Sequence, residues 1–204
     1  MPRPRIEFVQ SQNLPWQDRL ATLRPGTATR TLSEDDATGA CSLIVRYPPG
    51  WQAPAGQCLA ADEELLVLTG TLHVGPHALG PMGYAHLPAG HARGPLSAPD
   101  GATVVTFFSA APAPGPETEI DPARLIEAKD GMSLPYTGNF HPEFPPGAGR
   151  RMLYEDPVTG DQTWLLGTMG LRWAERAERH PVVEEMLLIA GEVHGNLGIM
   201  RPGA

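Results

Sequence analysis

Lysine is almost missing from this chain. Of its 15 basic residues Lys129 is the only lysine and the others are arginine, set against 23 acidic residues for a formal charge of −8. An acidic chain without a basic run excludes a protein that grips nucleic acid through clustered cations. Cysteine is scarce too. Cys41 and Cys58 cannot build a disulfide framework, show none of the paired spacings of a structural zinc site, and fit a reducing, cytoplasmic compartment. Long apolar runs are lacking: the longest, Leu65–Leu68 and Met186–Ala190, fall far below the roughly 20 residues of a membrane-spanning helix. Residues Met1 to Trp16 hold no apolar stretch of the kind a secretory signal carries. No Gly-rich phosphate loop, Gly-x-Ser-x-Gly elbow or His-Glu-x-x-His helix occurs. Neither nucleic acid nor membrane is an expected partner.

Glycine and proline, by contrast, are plentiful at 23 each, and 41% of the 204 residues are hydrophobic. That is enough apolar material for a core, so the Gly/Pro clusters read as turns between short elements. Pro48-Pro49-Gly50, Gly75-Pro76, Gly80-Pro81 and Pro88-Ala89-Gly90 are such clusters. Ala102–Phe108 is β-branched and aromatic, and Glu64–Leu68 is a short apolar run closed by Gly70. Both read as strands. One helix is expected, in the connector: Asp121 as cap, Pro122 at its first position, Ala123 to Lys129 as its body and Gly131 after it. Ala110–Pro116 before it reads as a Pro/Ala linker.

A repeat organises the rest. Glu34-Asp35-Asp36-Ala37-Thr38-Gly39 returns as Glu155-Asp156-Pro157-Val158-Thr159-Gly160, 121 positions later. Glu63-Glu64-Leu65-Leu66 and Glu184-Glu185-Met186-Leu187 keep the same offset, as do His73 and His194. Ten of the forty positions from Glu34 to His73 are identical in the second copy without a gap. Upstream, Leu14-Pro15-Trp16 matches Leu134-Pro135-Tyr136 at an offset of 120. Downstream, Leu197-Gly198-Ile199-Met200 is matched to Leu79-Gly80-Pro81-Met82 at an offset of 118, which implies a three-residue deletion. On that alignment the second copy ends 23 residues before the first one does, as a truncated product would.

These residues resemble the cupin superfamily of small double-stranded β-helix barrels. Its first motif is a glycine, His-x-His, a glutamate and a further glycine, here Gly50, Glu63 and Gly70, with Glu184 and Gly191 in the second copy. Its second motif, Pro-x-Gly-x-x-His, stands as Pro88-Ala89-Gly90-His91-Ala92-Arg93. The chain is similar to two-cupin (bicupin) proteins of the kind related to ChrR-like anti-sigma-factor cupins and acetylacetone dioxygenase. The resemblance implies an all-β fold of tandem jelly-roll barrels, the second incomplete at the C-terminus. Residues 1–112 form the first barrel, 113–132 a linker with a short helix, and 133–204 the second barrel. It also implies a homodimer, since such barrels often pair through sheet edges.

The family's metal chemistry needs three or four side chains aimed into a barrel, and alternation along a strand is why its histidines come as His-x-His. In the first copy those positions hold Gly56 and Cys58, or Gln57 and Leu59 with a spacing one shorter, and the histidine of the second motif is Arg93. A guanidinium does not bind metal, so no metal is expected there. Glu63, His86, His91 and Arg93 instead make a candidate pocket for an anionic small molecule, arginine offering a forked carboxylate contact. In the second copy Glu178-Arg179-His180 followed by three residues and Glu184 reads Glu-x-His-x-x-x-Glu. One imidazole and two carboxylates suit Fe(II), Mn(II) or Zn(II) with positions left for substrate. Two functions are carried forward: a metal-dependent, oxygenase-like or isomerase-like small-molecule enzyme with its site in the second barrel, and a non-catalytic ligand-binding or sensor bicupin using the first.

Overall fold

Alternation explains why the apolar run 65–68 is continuous. In the strand Glu63–Gly70, Leu65 and Val67 enter one core and Leu66 a second core on the opposite face. Both faces of this strand are covered. The computed structural model of the chain describes residue 6 and residues 8–137, 148–168, 183–195 and 198–204.

Ten strands build the first unit: β1 (Ala28–Glu34), β2 (Cys41–Tyr47), β3 (Trp51–Ala53), β4 (Glu63–Gly70), β5 (Leu72–Val74), β6 (His77–Leu79), β7 (Gly83–Leu87), β8 (Leu96–Ala98), β9 (Ala102–Phe108) and β10 (Ile126–Asp130). Six form an antiparallel sheet in the order β1-β2-β9-β4-β7-β10, and four form a second in the order β3-β8-β5-β6. Leu43, Val45, Leu65, Val67, Leu87 and Val104 of the larger sheet meet Trp51, Leu72, Val74 and Leu96 of the smaller one in a single core. Leu20 and Leu23, from successive turns ahead of β1, close one end of it. Each large side chain buried in this way contributes roughly 1.5–3 kcal/mol. This is an all-β, jelly-roll architecture.

The connector departs from expectation. Asp121 does cap, its carboxylate accepting from the Ala123 amide at 2.9 Å, but only a 3-10 turn over Pro122–Arg124 follows. The chain then extends into β10, which pairs with β7 through Ile126↔His86, Lys129↔Tyr84 and Asp130↔Gly83. Pairing to an otherwise open sheet edge outweighs the local helix signal. The Pro/Ala stretch is also docked, not free: Gly115 donates to the Cys58 carbonyl at 3.0 Å and packs so closely that a Cβ there would lie 2.7 Å from the Ala60 nitrogen.

In the second half, β11 (Ala148–Glu155) pairs with β12 (Gln162–Thr168), and β13 (Val193–Gly195) with β14 (Gly198–Met200). The repeat is visible in detail. The turn between β1 and β2 has Asp35 accepting from the Ala37 and Thr38 amides, and that between β11 and β12 has Asp156 accepting from Val158 and Thr159. A register irregularity follows Thr31 in one hairpin and Met152 in the other. Gly39 and Gly160 take the same left-handed conformation at φ 72° and 75°, which a side chain would strain. The pairs Leu72↔Leu79 and Val193↔Met200 are likewise related by 121 positions. Met200 therefore corresponds to Leu79, not Met82, and the three-residue deletion read from the sequence is not present.

The second copy of the β4 sequence behaves differently. Residues 183–189 form no strand, although Leu187 reaches the second core and Glu185 contacts Ser33 and Ser42. In the first unit the same pattern is held between β9 and β7, and no strands flank 183–189 among the described residues. Leu153, Tyr154 and Leu165 complete the second core against the outer face of the six-stranded sheet. Among the described residues no helix is long and apolar enough to cross a membrane.

Candidate functional site: a buried arginine pair inside the first unit

Glu63 opens β4 with the same facing as Leu65, which sends its carboxylate into the core, where it is 0% exposed. A lone buried carboxylate is costly and demands a cation. Arg24 supplies it. Turns that bury Leu20 and Leu23 carry Arg24 inward, and its guanidinium lies 2.6 Å from the Glu63 carboxylate. Its Nη1 donates to the Tyr47 hydroxyl at 2.7 Å. The Thr106 hydroxyl lies 3.3 Å from Glu63 Oε1 and donates to the Glu64 carbonyl at 2.8 Å. Arg93, on the segment after the Pro88–Gly90 turn, brings Nε to 3.4 Å from Glu63 Oε2. That is an ion-pair distance without hydrogen-bond alignment.

The electrostatics follow from burial opposed by pairing. Burial favours neutral Glu63, but Arg24 and Arg93 outweigh it and hold its carboxyl below the ordinary range. Burial also works against the Arg24 cation, and Glu63 with Tyr47 reverses that, leaving its pKa raised. Tyr47 is pushed up to about 12 by burial and by Glu63, against the opposing pull of Arg24. For Arg93 burial prevails over Glu63 and its pKa is lowered. Two guanidiniums thus face one carboxylate.

The two possible readings of the His-x-His positions are separated here. Leu59 lies in the barrel core and Gln57 sends Nε2 to the Leu23 carbonyl at 3.1 Å, whereas Cys58 is half-buried and contacts the Gly56 carbonyl. The inward positions are therefore Gln57, Leu59, Glu63 and Arg93. This set does not fit a divalent ion, because its one carboxylate is already shared between Arg24 and Arg93 and two of its members cannot ligate.

Of the four pocket residues named from sequence, Glu63 and Arg93 come together. His91 is half-buried near them, and burial together with the Arg93 charge lowers its pKa. His86 is elsewhere. It lies on the opposite face of β7 from Leu87, its ring stacked on Tyr154 at 3.8 Å and 17°, with Nδ1 donating to the Arg124 carbonyl. Of the three candidate metal ligands, Glu178 and His180 lie outside the described residues, and Glu184 is exposed. Arg24 and Tyr47 are the members sequence reasoning missed. The signal available was the facing of Glu63 beside Leu65, which predicts a buried carboxylate needing a cation.

Residues 7–115 match the model of a domain of unknown function, DUF4437. The chain belongs to the DUF4437 family. No curated protein matches its sequence. A solved structure described as a candidate dioxygenase, from Nostoc punctiforme PCC 73102, aligns with this DUF4437 member at a TM-score of 0.63 and 22% identity, covering 82% of this chain. The chain spans 57% of that protein. A candidate acetylacetone dioxygenase from Methylibium petroleiphilum PM1 aligns at 0.45 and 21% identity, over 61% of this chain and 88% of its own. An RmlC-like cupin from Shewanella frigidimarina NCIMB 400 aligns at 0.41 and 15%, over 54% and 96%. This DUF4437 protein shares the fold of the Nostoc punctiforme structure.

Proposed function

We propose that the first barrel is a non-catalytic binding module for a small anionic molecule, a carboxylate, taken by Arg93. One observation carries this reading. Arg93 is 1% exposed, yet its Nε and Nη1 have no hydrogen-bond partner. Buried donors without partners are rare and costly, and more so on a charged group. The interior charge is already unbalanced toward the cation, so an anion is favoured over a neutral molecule. The unpartnered Nη1 offers a carboxylate a charge-assisted hydrogen bond. Glu63 and Arg24 act as positioning residues that hold Arg93, and neutral His91 stands beside it as a further donor. Calorimetric titration of the full chain with propionate tests this. Binding that Arg93→Gln removes and Arg93→Lys weakens supports it. No binding, or binding indifferent to Arg93, overturns it.

A second reading places a metal-dependent small-molecule enzyme, oxygenase-like or isomerase-like, in the second copy. Its support is the 121-residue offset: Glu178, His180 and Glu184 correspond to Gln57, Leu59 and Glu63, three inward positions of the first barrel. Iron, manganese or zinc held there would supply Lewis-acid or oxygen chemistry. This reading takes the chain as a bicupin of the ChrR-like kind, divided at 1–112, 113–132 and 133–204 and paired as a homodimer. Metal analysis of protein purified without chelator decides it. Stoichiometric metal lost in His180→Ala and kept in Arg93→Gln supports it, and negligible metal overturns it.

A further inference from the structure

The Arg93 donors are not the only unsatisfied polar atoms at that end of the barrel. Gln57 faces Arg93 across an isolated antiparallel bridge. The Arg93 amide donates to the Gln57 carbonyl at 3.1 Å, and the Gly56 amide donates to the Arg93 carbonyl at 2.8 Å. Residues opposed in this way send their side chains to the same side of the ribbon. The Gln57 carboxamide has a fixed orientation, because Nε2 donates to the Leu23 carbonyl at 3.1 Å and a carbonyl can only accept. That leaves Oε1 as the other end, buried and without a partner. On the Arg93 side Nη2 reaches the Leu87 carbonyl at 3.4 Å and Nε stands at ion-pair distance from Glu63, while Nη1 has no partner. One donor, Arg93 Nη1, and one acceptor, Gln57 Oε1, thus stand without any partner on one cross-strand pair.

A plain carboxylate answers only the Nη1 donor. Its oxygens accept and cannot donate, so Gln57 Oε1 would remain buried and unpaired. A molecule with a donor on the carbon next to its carboxylate answers both Nη1 and Oε1. An ammonium in that place would add a cation to an interior where Arg24 and Arg93 already outnumber Glu63, and this disfavours 2-amino acids. A hydroxyl adds no charge.

We propose that the Gln57–Arg93 pair selects small 2-hydroxy carboxylates, the carboxylate on Arg93 and the 2-hydroxyl donating to Gln57 Oε1. This rests on the carboxylate reading of the first barrel and gives it a ligand class. Cys58 and His91, neighbours of the pair in sequence, are half-buried and border the same end.

The test is calorimetric titration of the full chain with propionate, both enantiomers of lactate, 2-methoxypropionate and alanine. One enantiomer of lactate should bind about tenfold tighter than propionate, the scale of one hydrogen bond to a buried acceptor. 2-Methoxypropionate, which keeps the oxygen and loses the donor, should bind no better than propionate, and alanine no better than either. Gln57→Leu should bring lactate down to the affinity of propionate and leave propionate unchanged. If Gln57→Leu does not fold, the ligand series on the natural chain decides alone. Equal binding of lactate and propionate overturns the hydroxyl assignment and leaves the carboxylate reading standing. Binding of neither overturns both.

Discussion

Arg24 and Glu63 stand 39 residues apart in the chain and 2.6 Å apart between the two sheets of the first unit, 1% and 0% exposed. The cation comes from a turn segment ahead of the sheets and the anion from β4, so the pair ties the N-terminal segment into the barrel interior. A pair this dry gains little over an apolar replacement, but losing one partner strands the other charge.

The stability of the barrel should therefore depend more on the balance of the pair than on its presence. Arg24→Met alone is expected to cost about 3–5 kcal/mol, read as a fall in the urea midpoint. Arg24→Met combined with Glu63→Gln should cost less than Arg24→Met alone, because the stranded carboxylate is gone. Equal losses in the single and double variants would show that the charge itself is not what the barrel must compensate.

The cluster around this pair contributes to both pH limits. Glu63 titrates below its ordinary range in the folded state, so its stabilisation is complete above roughly pH 4.3 and is lost as pH falls through its lower folded value. Tyr47 works from the other side. Its folded value of about 12 lies above the ordinary value of about 10, so its contribution is complete below pH 10 and is lost between about 10 and 12. Tyr47→Phe should remove that alkaline loss, and the Arg24→Met, Glu63→Gln pair should flatten the acid limb. Both are read from urea midpoints across pH.

His86 offers a third, independent pH response. Burial first, and the Arg124 charge, lower its pKa, against the Arg124 carbonyl, Glu64 and Asp62, which raise it. A folded value below the unfolded one of about 6.5 means full stabilisation above pH 6.5 and loss as pH falls below it. His86→Asn should reduce the slope of melting temperature between pH 5 and 7, the remainder coming from His91, whose pKa is lowered as well. Because His86 stacks on Tyr154, the loosening should be felt first where β11 meets the six-stranded sheet, as faster hydrogen exchange of β11 amides at pH 5.

Much of the first unit is legible in sequence because its signals are local. β4 and β9 announce themselves as short apolar runs, and the repeat locates the β1–β2 and β11–β12 hairpins. What escapes is set by tertiary pairing. The connector carries a true cap at Asp121, but the fate of residues 126–130 was decided by the edge of β7. His86, His91 and Arg93 flank Pro88 in sequence, yet the Pro88–Gly90 turn, with Gly90 at φ 75°, lies between His86 and Arg93, and His86 stacks on Tyr154 instead. Arg24 has no motif at all. Only the inward facing of Glu63 implies it.

The two repeated turns should not be equally tolerant of change. Asp35 and Asp156 hold the same pair of amides, but Asp156 also accepts from the Tyr154 hydroxyl at 2.9 Å and from Arg124 at 2.9 Å, and Arg124 reaches Asp62 at 3.0 Å. Backbone amides at Thr159 and Val158 first, then Tyr154 and Arg124, hold the Asp156 carboxyl well below the usual carboxylate range. Asp35→Ala is expected to remove turn bonds worth about 1 kcal/mol. Asp156→Ala removes the same bonds and also releases Arg124 from one of its two carboxylates, loosening the join between the first sheet, the connector and β11. Its loss of melting temperature should exceed that of Asp35→Ala. Arg124→Ala combined with Asp156→Ala should add little further, because one network is broken in both cases. Additive losses would mean that Arg124 stabilises the join through Asp62 alone.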